Sequence, residues 1–196
     1  MDGAYNKNGL YSLSLAVNGK RAHEFNAESF SFAESKYINL LIDYERFKTL
    51  KQRIQKCFIE PENKLNVYKK TNNNGYVTIE NGMDYTVEII AKDFKGNSQK
   101  ITIPITGSKD SILVKETIKK TPYKINRTIF NVFKKEGVTV AFPKFTFYND
   151  FYLDFQVQDS IVKVHSPIVP LDKKYTLTFD VSKYTETEKK QLYIAS

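Results

Sequence analysis

The chain reads as an all-β protein made of two β-sandwich domains in tandem, the first carrying a short helical insertion. Three observations predict this. Apolar and polar residues alternate in short runs from end to end; Tyr11, Leu13, Leu15 and Val17 against Ser12, Ser14 and Ala16 is the first, and period two marks a half-buried strand. Turn signals rich in Asn, Asp and Gly separate these runs at short intervals, as in a sandwich. The chain also holds 14 Phe and 13 Tyr but no Trp, an aromatic content suited to strands and sheet cores.

The first alternating run meets Asn18-Gly19, a pair that readily takes positive φ at both centres of a hairpin turn. A returning strand through Ala22 to Phe25 is expected, with His23 at its surface beside Glu24. In "INLLIDYERFKTLKQRIQ" the apolar positions Leu40, Tyr44 and Phe47 recur every three or four residues, which predicts a short helix within Asp43–Lys51. "EPENK" (Glu60–Lys64) reads as a loop and "TNNNG" (Thr71–Gly75) as a turn. "YVTIE" and "DYTVEIIAKD" read as strands, the second placing Tyr85, Val87, Ile89 and Ala91 on one face. A hairpin over Ile89–Ile105 closes this half around Asp93-x-x-Gly96-Asn97, where Asp caps the turn, Gly96 takes positive φ and Asn97 tolerates the left-handed region. Ile101, Ile103 and Ile105 are expected to point inward, and Pro104, lacking an N–H, argues for an edge strand. About six strands over residues 1–107 result.

"TGSKD" (Thr106–Asp110) is the expected linker, giving domains 1–107 and 108–196. The second half continues in β: "GVTVAF", "FYLDFQVQ", "SIVKVH" and "YTLTFDVS" are its strands. In "FPKFTFYNDFYLDFQV" the odd residues Phe145, Phe147, Phe151, Leu153, Phe155 and Val157 form a core face, Asn149-Asp150 mark a bend, and Tyr148 and Tyr152 fall opposite. Thr185 and Glu188 form a capping box that starts a helical turn. "QLYIAS" then reads as a strand that stops without a partner, so the second domain looks cut short and the chain a piece of a longer one.

Composition excludes several function classes. The formal charge of +8 is diffuse, 15 Lys+Arg against 12 Asp+Glu in residues 1–107 and 15 against 10 in 108–196. A nucleic-acid binder shows a tighter basic stripe and a recognisable motif, so no nucleic-acid partner is expected. The basic run with Lys115, Lys119, Lys120, Lys124 and Arg127 reads as a solvated connector that an anionic polymer would attract. No apolar run reaches the ~18–20 residues of a membrane span, and the polar start "MDGAYNKNG" holds no signal peptide. The single Cys57 rules out an internal disulfide and any Cys-rich zinc site, and its apolar neighbours Ile54, Phe58 and Ile59 make it a small buried hydrophobe.

Several segments resemble a known family. "NKNGLYSLSLAVNGK", "FSFAESKYINLLIDY", "RIQKCFIEPENKL" and "AKDFKGNSQKITIPI" are similar to segments that follow the catalytic domain in bacterial lysostaphin-type zinc metallopeptidases (peptidase family M twenty-three). "FPKFTFYNDFYLDFQV" and "PLDKKYTLTFDVSKYTETEKKQLYIA" resemble the next module. The resemblance implies immunoglobulin-like β modules on an exported, periplasmic or cell-envelope protein that cleaves peptidoglycan. In that family the zinc is held by His-x-x-x-Asp and His-x-His. Here the only histidines are His23 and His165, in separate halves and outside either motif. A catalytic zinc needs about three protein ligands, so no catalytic, metal or cofactor-binding residue is expected in this chain.

The remaining constellations are weighed on chemistry. His23 and His165 read as solvated bystanders. Asp43 with Glu45, or Asp150 with Asp154, would need a cleft to act as a carboxyl pair, and the alternation reads Asp154 and Asp180 as solvent-facing. The Asp93–Asn97 turn is too short to supply the 6–8 oxygens of a calcium site. Tyr148 and Tyr152 are the candidate ligand-binding residues, an exposed aromatic platform for sugar rings. The sequence therefore supports an accessory or scaffold region that positions or spaces a neighbouring domain of the same polypeptide or an envelope protein. A glycan- or peptidoglycan-binding module is the alternative, and a hydrolase in its own right the third class.

Overall fold

The structure, a computed structural model, describes residues 10–29, 31–109 and 119–195. Most of its regular structure is antiparallel β-sheet, with little helix. The chain divides into two compact units, Met1–Lys115 and Glu116–Ser196.

Unit 1 is built on one four-stranded sheet of order β2-β1-β3-β4, from β1 (Ser12–Val17), β2 (Lys20–Asn26), β3 (Asp84–Lys92) and β4 (Ser98–Thr106). Asn18 and Gly19 both take positive φ, 47° and 75°, the geometry that matches a two-residue turn to the twist of its strands. In the turn joining β3 to β4, the Asp93 carboxylate accepts from the Asn97 backbone N–H at 2.9 Å and from its side-chain amide at 2.7 Å. Positive φ falls on Gly96 (87°) and not on Asn97. Asn97 serves as the closing donor, a correction to the left-handed role expected for it.

The connection from β2 to β3 covers part of the sheet. It holds a 3₁₀ turn (Phe32–Tyr37), α1 (Ile38–Leu41) and α2 (Tyr44–Leu50). Asp43 caps α2 by accepting from the Arg46 N–H at 3.0 Å, and Lys51 ends it in the left-handed conformation. Leu41, Leu65 and Val67 from this connection close over Leu13 and Phe25 of the sheet. Cys57, half-buried, packs against the same cluster, where burial pushes its thiol pKa up.

His23, expected at the surface, is buried, and three expectations about strands and linker also fail in unit 1. Tyr76–Glu80 forms no strand; β3 already pairs with β1 on one side and β4 on the other, so no ladder position next to it is open. Ile101, Ile103 and Ile105 are exposed by 55, 40 and 37% instead of buried, because the covering layer lies over β1, β2 and the adjoining face of β3, where Ile89 packs against it and Val87 is buried, and stops short of β4. Thr106 and Gly107 are also not linker: Thr106 ends β4, and Gly107 is buried, donating to the Met83 carbonyl and accepting from Gly82 N–H at 2.9 Å each. Asp110, at the end of that expected linker, lies outside the described residues.

Unit 2 holds β5 (Lys124–Ile125), β6 (Asn131–Lys135), β7 (Val138–Phe142), β8 (Phe151–Tyr152), β9 (Phe155–Gln158), β10 (Ile161–Val164), β11 (Thr176–Phe179) and α3 (Glu186–Lys189). They pair as β11-β7-β6, β9-β10 and β5-β8. Ile125, Val138, Val140, Phe142, Phe147, Leu153 and Phe155 make the core. Ring contacts run from Tyr175 through Phe142, Phe147 and Phe151 to His165 at 4.8–5.2 Å, spacing at which aromatic pairs add to plain burial. The capping box at Thr185 and Glu188 is present in both directions, and the Thr185 N–H and hydroxyl hold the Glu188 carboxyl below its usual pKa. Residues 191–195 form no strand, against the expectation for the final apolar run.

Candidate functional site

A group of chemistry-bearing side chains in unit 2 lies where β9 begins and β10 ends. Phe155 pairs with Val164, which sets Asp154 opposite His165. The two exchange hydrogen bonds: His165 N–H donates to the Asp154 carbonyl, and Asp154 N–H donates to His165 Nδ1, both at 3.0 Å. His165 adopts φ +83°, a strained conformation for a residue with a side chain, held by this reciprocal pair and by the Phe151 ring at 4.8 Å. The Asp154 carboxylate accepts from Gln156 at 2.7 Å and from Lys163 at 3.1 Å. Those hydrogen bonds, Gln156 first, lower its pKa.

His165 is therefore half-buried and structurally engaged, not a solvated bystander. Burial lowers its pKa, while the Asp154 charge opposes that shift. Its Nδ1 is used as an acceptor, so the neutral ring carries its proton on Nε2. A catalytic histidine oriented by a carboxylate needs Nδ1–H as donor, and here that atom accepts from backbone. The other carboxyl candidates also have local partners: Asp43 caps α2, Asp150 accepts from the Arg127 N–H at 2.8 Å, and Asp180 accepts from the Ser182 N–H at 3.0 Å. Asp180 is solvent-facing as expected, whereas Asp154 is half-buried. Among the described residues no three His, Cys, Asp or Glu side chains group as metal ligands.

The two candidate tyrosines are not an exposed pair. Tyr148 is only 6% exposed, and its hydroxyl lies 3.4 Å from an Asp172 carboxylate oxygen. Tyr152 is half-buried on β8, paired with Lys124. The exposed aromatic of this region is Phe145, which the alternation placed in the core. It is 41% exposed, with the Arg127 guanidinium and the Lys173 ammonium each 5.6 Å from its ring centre. Phe145 takes φ +62° in a turn where Thr146 donates to the Pro143 carbonyl through N–H and hydroxyl. That turn takes Phe145 out of the expected core face, while Phe147, Phe151, Leu153, Phe155 and Val157 keep to it. Of the basic run, Lys119, Lys120 and Lys124 are exposed and Arg127 half-buried; Lys115 lies outside the described residues.

Sequence reading also missed Asn131, buried on β6. Its side chain donates to the Asn126 and Ile129 carbonyls at 2.8 and 3.0 Å and accepts from Asn126 N–H at 3.0 Å. It holds the 126–131 loop shut. An Asn five residues after another Asn was the available signal.

In unit 1 the notable surface is the uncovered part of the sheet. Ile101, Ile103 and Ile105 stand beside Ile89, Val87 and Tyr85 of β3. Asn18 N–H donates to the Thr86 carbonyl, so Thr86 faces β1 and its β4 partner Pro104 turns its backbone to the open edge. Pro104 removes one donor from the middle of that edge, and Lys100, paired with Glu88 across the strands, adds charge. These features discourage addition of a further strand.

Comparison with known proteins adds one finding. Residues 122–196 are similar to the Zu5-like domain family. That match falls within unit 2 and includes none of unit 1. No curated protein and no solved structure matches the chain. No helix among the described residues is long and apolar enough to cross a membrane.

Proposed function

We propose that this chain is a non-catalytic accessory and scaffold region of a cell-envelope, peptidase-like protein. Two immunoglobulin-like β modules in tandem position or space a neighbouring domain of the same polypeptide. The observation that carries this reading is the uncovered apolar face of β4, with Ile101, Ile103 and Ile105 exposed beside a covered Val87 on β3. A free partner needs about 1,000 Å² of interface to bind specifically. A domain tethered to the same chain meets the face at an effective concentration on the order of millimolar, so a smaller patch suffices. Tethering therefore favours a neighbouring domain as the occupant. Contact through the face also agrees with an edge blunted by Pro104 and Lys100.

The test compares hydrogen exchange of this chain alone with that of the polypeptide encoded by the full open reading frame. Amides of β4 gain protection in the longer protein under this reading. A frame that ends at Met1 and Ser196, or unchanged β4 protection in a longer product, overturns it.

The glycan-binding alternative draws less support, because a buried Tyr148 has no ring face to offer a sugar. The chain is expected to show no retention on insoluble peptidoglycan at physiological salt. Retention that Tyr152→Ala abolishes would move the assignment to a glycan module.

A further inference from the structure

His23 lies on β2 opposite Leu15, and the next pair, Ala16 with Arg21, leaves Ala22 as an extra residue, the signature of a bulge. The imidazole is wholly enclosed, at 0% exposure. Neither ring nitrogen has a hydrogen-bond partner. A neutral imidazole carries one N–H in either tautomer, so a buried donor stays unsatisfied however the proton is placed.

The cover over this ring is narrow and identifiable. The Tyr68 ring stands edge-on at 5.6 Å. Tyr68 belongs to a segment laid antiparallel along the outer side of β2, bridged at Phe25 with Tyr68. Three backbone hydrogen bonds hold it: Asn26 N–H to Val67 carbonyl at 2.7 Å, Lys69 N–H to Glu24 carbonyl and Asn72 N–H to Ala22 carbonyl at 3.0 Å. The Asn72 side chain adds a bond to the Arg21 carbonyl at 3.1 Å. Leu65 and Val67 of the same segment plug the core formed with Leu13, Phe25 and Leu41.

The charged groups on the elements around the ring are exposed or paired with one another: Lys20 on β2 is exposed, and Glu60, whose charge reaches Tyr68, pairs with Lys56 at 2.7 Å. β1 carries no ionisable side chain. On β2, Arg21 and Glu24 pair with each other at 2.6 Å. On the covering segment, the Tyr68 phenol has its pKa pushed up to about 12 by burial, accepts from Asn63 and stays neutral. Lys69 lies 3.9 Å from Glu28, and Lys70 is exposed. Burial is the cause that lowers the pKa of His23 itself.

We propose that His23 and the Leu65–Asn72 segment form an acid-released latch, in which protonating the enclosed imidazole detaches the segment and opens the unit 1 core. An imidazolium has two N–H donors and a charge to solvate. The segment is the cover that leaves without breaking the β1–β2 or β1–β3 ladders. The sign follows from proton linkage. The opened state binds the proton more readily than the closed one, so closure is complete above about pH 6.5 and weakens as pH falls toward the lower pKa of the closed state. Unpaired carboxylates titrate near pH 4, well below the start of this window.

The test follows both imidazoles by NMR and amide exchange by protection factor in the full chain, from pH 7.5 to 5.5. The resonance missing from His23→Phe identifies the latch histidine. It is expected to titrate below 6.5, and protection across residues 65–72 and β2 is expected to fall several-fold. The ceiling at pH 5.5 is about tenfold, with β6 and β7 unchanged. His23→Phe removes this fall; if that variant does not fold, His23→Leu serves the comparison. Titration of His23 at its ordinary value, flat protection over residues 65–72, or the same fall without His23 overturns the latch.

Discussion

Phe142→Ala is expected to destabilise unit 2 by about 3–5 kcal/mol, the range for truncating an enclosed phenylalanine. Phe142 is 1% exposed at the centre of the unit 2 core. Its ring meets Phe147 at 5.0 Å and Tyr175 at 5.2 Å, so truncation removes two aromatic contacts along with the buried area. It also sits on β7, the central strand of β11-β7-β6, where the neighbours on either side cannot collapse into the void without leaving their ladders. A domain of this size is stable by only about 4–12 kcal/mol, so much of unit 2 will unfold at modest denaturant. Urea unfolding read by hydrogen exchange at β7 checks this separately from unit 1. Phe130→Ala is the control, because that ring is largely exposed and its loss should stay within about 0.5 kcal/mol. Equal effects from the two substitutions would refute the core assignment.

Gly107→Ala should damage unit 1 for reasons of space. A Cβ there would lie 1.9 Å from the Glu80 carbonyl oxygen and 3.1 Å from Ile79 Cγ2. The first of these is backbone, so the chain itself must move. Overpacking costs typically ~1–3 kcal/mol, and a clash with an immobile carbonyl belongs at the upper end. The displacement would strain the paired bonds of Gly107 with Met83 and Gly82, so amide protection should fall at the C-terminal end of β4. Gly82→Ala is the comparison. Gly82 has φ +72° but open space around its Cβ position, so only the left-handed strain of about 1–2 kcal/mol applies. If Gly107→Ala proves the milder of the two, the close approach to Glu80 is wrong.

The histidines and aromatics illustrate where sequence reading stops. His23 looked exposed because Glu24 follows it, yet it shares parity with Phe25 and faces Leu15 across the hairpin. Parity alone could have placed it inward; the bulge at Ala22 could not be read, because one extra residue leaves no compositional mark. His165 looked like the end of a strand and instead lies one residue past β10, which ends at Val164, and its bond to the Asp154 N–H depends on a register eleven residues apart. Phe145 leaves the core because a turn at Pro143–Thr146 turns it outward, and Tyr148 is buried because the segment at Leu171–Asp172 pairs beside it. The putting-together of a candidate site from alternation fails wherever a turn falls inside the alternating run.

What local sequence determined in this protein is what a few neighbouring residues decide by themselves. The Asn18-Gly19 turn, the Asp43 cap, the Thr185 capping box and the alternating strands of β1, β7 and β11 all follow from backbone preference and short-range hydrogen bonding. Tertiary structure alone decided which apolar faces are covered. Ile101, Ile103 and Ile105 carry the same alternation as buried strands elsewhere, and they stay exposed because the connection between β2 and β3 packs over the other three strands and leaves β4 bare. Burial depends on what arrives from a distance in the chain, and no short stretch of residues encodes that arrival.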